Sequence, residues 1–304
     1  MAPKGEQQPR QHHIVPVCYL KRFCIPGGEK VAVLDLSNGD IRSQRPSKIL
    51  RRRDHNRQPD APDGIDEFVF EKALATVFEA KLPTMLDELQ SQVPHLSDRE
   101  LLLFMEFLEI QRPNVPKIAE VFRELAKVQV EEVARAAPGV AEAMQKYRLQ
   151  VEIKETHRFN YMRELIGSRQ FVKYLYRMVW YIREMPEGVP LVTTDAPVVI
   201  VNSADKPGAM HGIGLLGARL IYPLSPRFCL ELNHPERIES PNGDYLQPVE
   251  LAPIREDAIV LRRAAEPIPE EGAICLNRIM AREADRYVVS SDEEVLASIP
   301  TLVF

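Results

Sequence analysis

The hydrophobic period of this 304-residue chain changes near Gly188, and that change constrains the fold more than any other feature. Over residues 64–185 the apolar residues recur at the three- and four-residue spacing of amphipathic helices. Over residues 188–304 short apolar runs alternate as they do in strands, and one late helix is expected at 269–285. Because helices cluster before strands rather than alternating with them, the pattern predicts an α+β fold and not a doubly wound sheet.

Two strands are expected to come before the helices. Residues 30–36 alternate, residues 37–40 are a hairpin turn signal containing Asn-Gly, and the return strand begins at Ile41. The prediction is therefore an N-terminal hairpin, a central helical block and a C-terminal, mostly antiparallel sheet with one late helix, within a single domain of residues 1–304. Its parts are a basic N-terminal segment at 12–58, the helical block at 64–185 and the β-rich part at 188–304.

The positions of the other elements follow from the same patterns. Helices are predicted at 65–90 with a break at Pro83, and at 97–110, 115–136, 140–153, 159–166 and 169–185. Further strands are predicted at 189–193, 198–202, 218–223, 228–233, 258–262 and 286–290. A capping box is expected at the start of the helix at 97–110, because Glu100 follows Ser97 by three residues.

Charge is unevenly distributed along the chain. The net charge is −5, yet residues 1–58 contain 12 Lys and Arg against 5 Asp and Glu, so this segment carries +7 and the remainder −12. The basic residues concentrate at 42–57, which includes Arg51, Arg52 and Arg53, and such a run can bind phosphate groups. It contains no interleaved aromatic residues, so base stacking is not indicated. A solvated basic loop, or one paired with the acidic helices, is the alternative.

The segment at 12–23 concentrates groups that can carry chemistry. Pro16 favours the first turn of a helix, on which three apolar side chains form one stripe. They are Tyr19, Leu20 and Phe23. His13 lies just outside the helix start, where a neutral imidazole can act as a general base or bind a metal ion. The alternative is a structural role, in which the ring hydrogen-bonds a turn.

Arg112 and Asp195 are further candidates for a site. Arg112 ends a helix so apolar that it must be largely buried, and Pro113 disfavours helical geometry at Arg112. A buried arginine needs an acidic partner, such as Asp195 or Glu79, or an anionic ligand. Asp195 follows a predicted strand and precedes a proline-fixed turn, so its carboxylate either faces a cleft or caps the turn itself.

Other patterns argue against particular classes of protein. The four cysteines include no C-x-x-C pair, which argues against a zinc ribbon and is typical of a reduced, cytoplasmic protein. No apolar run approaches the ~20 residues that span a bilayer, so no membrane association is expected. The glycines at 212–217 match G-x-G-x-x-G, but a strand rather than a helix is predicted after them, so neither NAD nor FAD is expected.

One family resemblance covers nearly the whole chain. Its motifs are, in chain order, His13-x-x-Pro16-x-x-Tyr19-Leu20-x-x-Phe23, Gln111-Arg112-Pro113, Thr194-Asp195-x-Pro197, Tyr222-Pro223-Leu224-Ser225-Pro226, and Leu276-Asn277 running into Ala284-x-x-Tyr287-Val288-Val289. In these motifs the chain resembles a large, mainly bacterial family known only as a domain of unknown function. The resemblance implies one architecture in which the motifs converge, and it adds weight to Glu71 and Glu79 as ligands. It implies no activity.

A second, local resemblance concerns residues 12–16. This stretch is similar to the histidine-bearing strand of HNH-type endonucleases, in which one histidine is the general base and another binds a metal ion. The chain departs from that pattern because the Asn and second His have only distant counterparts, Asn38 and His55. No cysteines of a zinc knuckle frame the motif either.

These observations lead to one expected function and two alternatives. The expectation is a metal-dependent phosphodiester hydrolase, nuclease-like, in which His13, Arg112 and Asp195 are catalytic. Substrate would be bound by Arg51, Arg52, Arg53 and Gln111, and a divalent metal ion would be held by Glu71, Glu79 and Asp195. The alternatives are a non-catalytic module that binds nucleic acid or a nucleotide, and an enzyme that acts on a small anionic substrate. The oligomeric state is not predicted.

Overall fold

The computed structural model describes residues 10–59, 61–154, 157–202, 212–214, 217–233 and 261–299. Its helices are α1 (Val17–Leu20), α2 (Val69–Ala73), α3 (Leu82–Leu89), α4 (Asp98–Gln111), α5 (Pro116–Ala136), α6 (Val140–Tyr147), α7 (His157–Ser168), α8 (Gln170–Leu175), α9 (Glu270–Glu283) and α10 (Glu293–Ser298). Its strands form two larger sheets and a two-stranded ribbon. This arrangement confirms the predicted α+β class.

The N-terminal hairpin is part of an antiparallel sheet of four strands. The sheet order is β3 (Asp40–Gln44), β2 (Val31–Asp35), β11 (Tyr287–Ser290) and β6 (Thr193–Thr194). Gly39 closes the hairpin at φ +77°, a left-handed conformation that favours glycine. Because β2 pairs with β11, the N-terminal hairpin and the last strands belong to one sheet.

The second sheet has five strands and is mostly antiparallel, as predicted. Its order is β10 (Leu261–Arg263), β5 (Val179–Glu184), β9 (Phe228–Asn233), β8 (Arg219–Pro223) and β7 (Val199–Val201), and β10–β5 is the parallel pair. The predicted helix at 169–185 is wrong in its second half, which is β5. There Trp180 and Ile182 are fully buried while their neighbours are half-buried, which is the two-residue period of a strand.

The two-stranded ribbon was not predicted. β1 (Gln11–His13) pairs antiparallel with β4 (Arg51–Arg53), with His12 opposite Arg52. Three consecutive arginines carry no hydrophobic alternation, so no strand signal marks β4 in the sequence. The ribbon brings the basic run at 42–57 against the opening histidines.

Apart from β5, the helical block differs from its prediction in two places. The helix expected at 65–90 is divided by a π-helical segment at Leu74–Glu79, and Pro83 lies in the first turn of α3, where its missing N–H costs nothing. α6 ends early because Arg148 adopts φ +52°. The capping box at Ser97 is confirmed. A short helix after β11, α10, was not predicted.

The N-terminal segment is anchored deep in the core. Tyr19, Leu20 and Phe23 are fully buried, which confirms the predicted apolar stripe. The Tyr19 hydroxyl donates to the Pro223 carbonyl oxygen at 2.9 Å and lies 2.7 Å from Thr193 Oγ1. Its ring stacks on another core ring at 5.2 Å between centroids. These contacts fix the start of the helical part to both large sheets.

Candidate functional site: a basic cleft beside a buried histidine–asparagine cluster

The two histidines of the opening segment have different environments. Successive side chains of a strand point to opposite faces, and on β1 His12 is fully buried while His13 is half-buried. The Asn56 backbone N–H donates to His12 Nδ1 at 2.7 Å. Nδ1 is therefore unprotonated, and the neutral ring carries its proton on Nε2. The ring also packs edge-on against Phe68, with 5.8 Å between centroids.

Asn56 connects His12 to a carboxylate and to an arginine. Its side-chain amide donates to Glu71 Oε2 at 2.6 Å, and its Oδ1 accepts from Arg158 Nη2 at 3.5 Å. Arg158 Nη1 lies 3.3 Å from Asn114 Oδ1, to which it also donates. We call this group the His–Asn cluster. It consists of His12, His55, Asn56, Glu71, Asn114 and Arg158.

Two members of the cluster, His55 and Arg158, line a cleft. The Nε2 of His55 lies 2.8 Å from both the Asn114 carbonyl oxygen and Arg158 Nη1. One ring nitrogen cannot donate to the carbonyl and accept from the guanidinium at once, so each tautomer makes one of these bonds. Burial, followed by the charge of Arg158, lowers the pKa of His55 to about 3, so the ring is neutral at neutral pH.

A cleft of about 520 Å³ opens beside the cluster, and we call it the basic cleft. Six cationic side chains line it against three carboxylates. The cations are Arg52, Arg53, Arg57, Arg123, Lys154 and Arg158, and the carboxylates are Asp54, Glu120 and Glu152. A concave site with an excess of one charge attracts ligands of the opposite sign, so this cleft favours anions.

Two residues in left-handed backbone conformations flank the arginine strand β4. Leu50 has φ +48° and Asp54 has φ +55°. For a residue other than glycine this conformation is uncommon, and held strain of this kind costs on the order of 1–3 kcal/mol. The Leu50 carbonyl oxygen accepts from the Ile14 N–H at 2.8 Å, and the Asp54 N–H donates to the Arg10 carbonyl oxygen at 2.7 Å. These bonds hold β4 in register with β1.

His13 lies among carboxylates but outside the cluster. Its Nε2 is 3.4 Å from the Ser47 carbonyl oxygen, and burial lowers its pKa. With Glu79 it lines a small crevice, and burial, followed by the charge of Glu71, raises the pKa of Glu79. Within the described ranges, no group of three or more His, Cys, Asp or Glu side chains has an arrangement that could hold a metal ion.

Arg112 and Gln111 have structural contacts at the end of α4. Gln111 is buried, and its amide donates to the Ile14 carbonyl oxygen at 2.8 Å, so it positions the N-terminal segment. The guanidinium of Arg112 lies over the Phe171 ring at 5.6 Å, and burial lowers its pKa to about 10. Arg112 keeps helical backbone angles, so the expected effect of Pro113 is wrong. Among the described residues, its expected salt bridge to Asp195 or Glu79 is not formed.

Asp195 is a buried acceptor for backbone N–H groups. Its carboxylate accepts from Asp285, Arg286 and Tyr287 at 2.8–2.9 Å, which fixes the start of β11. Burial raises the pKa of Asp195 to about 6, although the three donors favour the ionised form. His13, Arg112 and Asp195 thus have separate partners, and none of their hydrogen bonds or ring contacts joins one to another.

The G-x-G-x-x-G motif has a packing explanation at one of its glycines. A Cβ on Gly214 would lie 3.2 Å from the Tyr174 ring, so a larger residue would crowd that ring. The element that follows the motif is strand β8 and not the helix that a dinucleotide-binding loop requires.

The site and the elements that build it lie within the span of one sequence family. The profile described as "Protein of unknown function (DUF4238)" matches residues 11–294. The chain belongs to the DUF4238 family. This match confirms the predicted membership of a family of unknown function, and the DUF4238 region includes both the His–Asn cluster and the basic cleft. No match was found among curated proteins or among solved structures.

The DUF4238 chain also has no described helix that is both long and apolar enough to cross a bilayer. Two of its four cysteines are half-buried, Cys229 is buried and Cys275 is exposed, and all four are free thiols.

His12, the neighbour of the predicted candidate His13, belongs to the hydrogen-bonded His–Asn cluster. The other members of that cluster come from the turn after β4, from α2, from the turn after α4 and from α7. The adjacent pair His55-Asn56, which follows the three arginines after Asp54, was the available signal in the sequence. Arg158 had no such signal, because it is one of many charges on an amphipathic helix.

Proposed function

We propose that this protein binds a phosphate-bearing ligand, with nucleic acid as the ligand class, in the basic cleft. The observation that carries the proposal is the lining of that cleft, where six cations oppose three carboxylates around about 520 Å³. A nucleic-acid strand presents one negative charge per phosphate, so such a lining favours it over neutral ligands.

The types of cation support the same ligand. Five of the six are arginines, whose planar guanidinium can donate two parallel hydrogen bonds to one phosphate. Arg158 is held against His55 and Asn114, so it is placed before a ligand arrives. A preplaced donor loses less conformational entropy on binding than a free surface side chain does.

The test is binding of a fluorescently labelled single-stranded oligonucleotide, measured by anisotropy over a series of salt concentrations. Substituting Arg52→Ala together with Lys154→Ala should weaken binding and lower the salt slope by about 0.7 for each phosphate that is no longer neutralised. The matched control is Lys81→Ala with Arg99→Ala, which removes two exposed cations that line no part of the cleft. No binding by the wild-type protein at low salt, or equal weakening in both double variants, would refute the proposal.

A second candidate is metal-dependent hydrolysis of a phosphodiester, with His13 as general base. It is favoured by the crevice that His13 shares with Glu79 and by the influence of the Glu71 charge on both side chains. Burial lowers the pKa of His13 and so keeps it in the neutral form that a base requires. The cluster joins this region to the basic cleft, because Asn56 contacts both Glu71 and Arg158.

Hydrolysis is tested with the same oligonucleotide, incubated with Mg²⁺ or Mn²⁺ and with EDTA as a control. His13→Ala should abolish cleavage while leaving binding intact, and Glu79→Gln should weaken binding of Mn²⁺ in calorimetric titration. If the wild-type protein binds the oligonucleotide but does not cleave it with either ion, the binding function stands alone. If a mononucleotide competes as well as the oligonucleotide does, the ligand is a small anion and not nucleic acid.

A further inference from the structure

A second positively charged depression borders the same ribbon as the basic cleft. It encloses about 250 Å³, and we call it the ribbon groove. Four cations line it together with two carboxylates, one glutamine and one aromatic ring. The cations are Arg42, Lys48, Arg51 and Arg286, the carboxylates are Asp195 and Asp285, and the others are Gln11 and Tyr287.

Most of the charged side chains in the ribbon groove that have no partner within the described residues are positive. Arg286 is already bound to Asp35 through two nitrogens, with Nη2–Oδ2 at 2.6 Å. The Asp195 carboxylate is occupied by three backbone N–H groups. Lys48 and Arg51 are exposed and make no ion pair with any described residue.

Arg42 completes the set of available cations. It is exposed, and its guanidinium carbon lies 5.9 Å from the centroid of the Tyr287 ring, without an acidic partner among the described residues. The ribbon groove therefore has three cations without an acidic partner and one such carboxylate, Asp285, which makes no ion pair with any residue that the structure describes. This balance matches a phosphate and not a cation or a neutral ligand.

The arginine strand connects the two depressions. Its first residue, Arg51, lines the ribbon groove, whereas Arg52 and Arg53 line the basic cleft. Backbone hydrogen bonds of Leu50 and Asp54, on either side of β4, hold it in register with β1 and so fix the backbone from which the arginine side chains extend. A single phosphate cannot occupy both depressions, but consecutive phosphates of one strand can.

We propose that the ribbon groove is a second phosphate site, and that the ligand is a nucleic-acid strand that runs from the basic cleft across β4 into it. This inference rests on the proposed binding function and adds to it that the ligand is a polymer and not a mononucleotide. Phosphate contacts of this kind position a strand without reading its bases, so binding should depend little on sequence.

The experiment compares two probes and three double variants by fluorescence anisotropy and competition. The probes are an oligothymidylate of about 20 nucleotides, longer than the ~4–16 nucleotides that one single-strand-binding fold covers, and thymidine monophosphate. The groove variant is Lys48→Ala with Arg51→Ala, the cleft variant is Arg52→Ala with Lys154→Ala, and the control is Lys81→Ala with Arg99→Ala. Lys48→Gln with Arg51→Gln repeats the groove test if the alanine variant melts early.

The groove variant should bind the oligonucleotide about tenfold more weakly and lower its salt slope by about 1.4, because two phosphates are no longer neutralised. Its affinity for thymidine monophosphate should not change, whereas the cleft variant should bind both probes more weakly. If the groove variant binds the oligonucleotide like wild type while the cleft variant does not, the second site is refuted and the proposed function stands. Equal weakening for both probes in the groove variant would refute it too, because the two depressions would then be one site.

Discussion

Removing each imidazole of the opening pair in turn should show which of the two histidines stabilises the fold. In His12→Ala the buried Asn56 N–H is left without its acceptor, which costs about 1–3 kcal/mol, and a fully buried ring leaves a cavity. We therefore expect the free energy of unfolding to fall by about 3–5 kcal/mol. His13→Ala removes only a 3.4 Å hydrogen bond to the Ser47 carbonyl oxygen, so the expected change is within about 1 kcal/mol. Leu20→Ala is the reference for a core truncation, at about 2–5 kcal/mol.

Urea unfolding followed by tryptophan fluorescence is suited to this comparison. The chain has one tryptophan, Trp180, which is fully buried and lies 6.4 Å from Phe104 between ring centroids, so its emission reports on the core. His12→Ala and Leu20→Ala should unfold at similarly low urea concentrations, and His13→Ala close to wild type. A His13 variant as unstable as the leucine variant would remove His13 from the candidate bases. A His12 variant as stable as wild type would refute the account of the cluster.

Two further predictions concern buried carboxylates, and a third concerns the arginine strand. Burial raises the pKa of Glu109 to about 7 from its usual 4.5, so the unfolded chain loses this proton at a lower pH than the folded protein does. The stability of the wild-type protein should therefore fall between pH 5 and pH 8, by up to about 3 kcal/mol. Thermal melts at the two pH values should show this fall in the wild type and not in Glu109→Gln. Asp195→Ala should cost about 3 kcal/mol in urea unfolding, because three N–H groups are left without their acceptor, and an unchanged midpoint would contradict this. Neutralising residues 51–53 together should weaken oligonucleotide binding yet change stability by no more than about 0.5 kcal/mol, and unchanged binding would leave β4 as a solvated strand with no part in binding.

Local patterns predicted the elements whose cause is local. The Asn-Gly turn, the capping box at Ser97 and the strand at 228–233 were all placed correctly, because each depends on neighbours in sequence. β5 was mistaken for helix because its aromatic residues continue the spacing of α8, and short apolar runs fit either period.

The candidate site was less predictable because its members meet only in the folded chain. Asn56 and Arg158 are about 100 positions apart, and no sequence pattern pairs them. Arg112 and Asp195 were expected to lie near His13 because the family resemblance implies that their motifs converge. The structure satisfies them separately, the first over an aromatic ring and the second with backbone donors. A buried charge therefore predicts a partner but not its identity.

The pairing of β2 with β11 has a consequence for the order of events during protein synthesis. Asp35 and Arg286, whose ion pair lies at this seam, are separated by 251 positions. At ~5–20 residues per second, roughly 13–50 s pass between the appearance of β2 and that of its partner. During this interval β2 has an unpaired edge and Asp35 lacks its counter-ion, so the nascent chain exposes a strand that could pair with another chain. The four-stranded sheet can therefore be completed only after β11 has been synthesised, although β2 is among the first strands made. Nascent chains stalled before β11 should be cleaved by protease near β2.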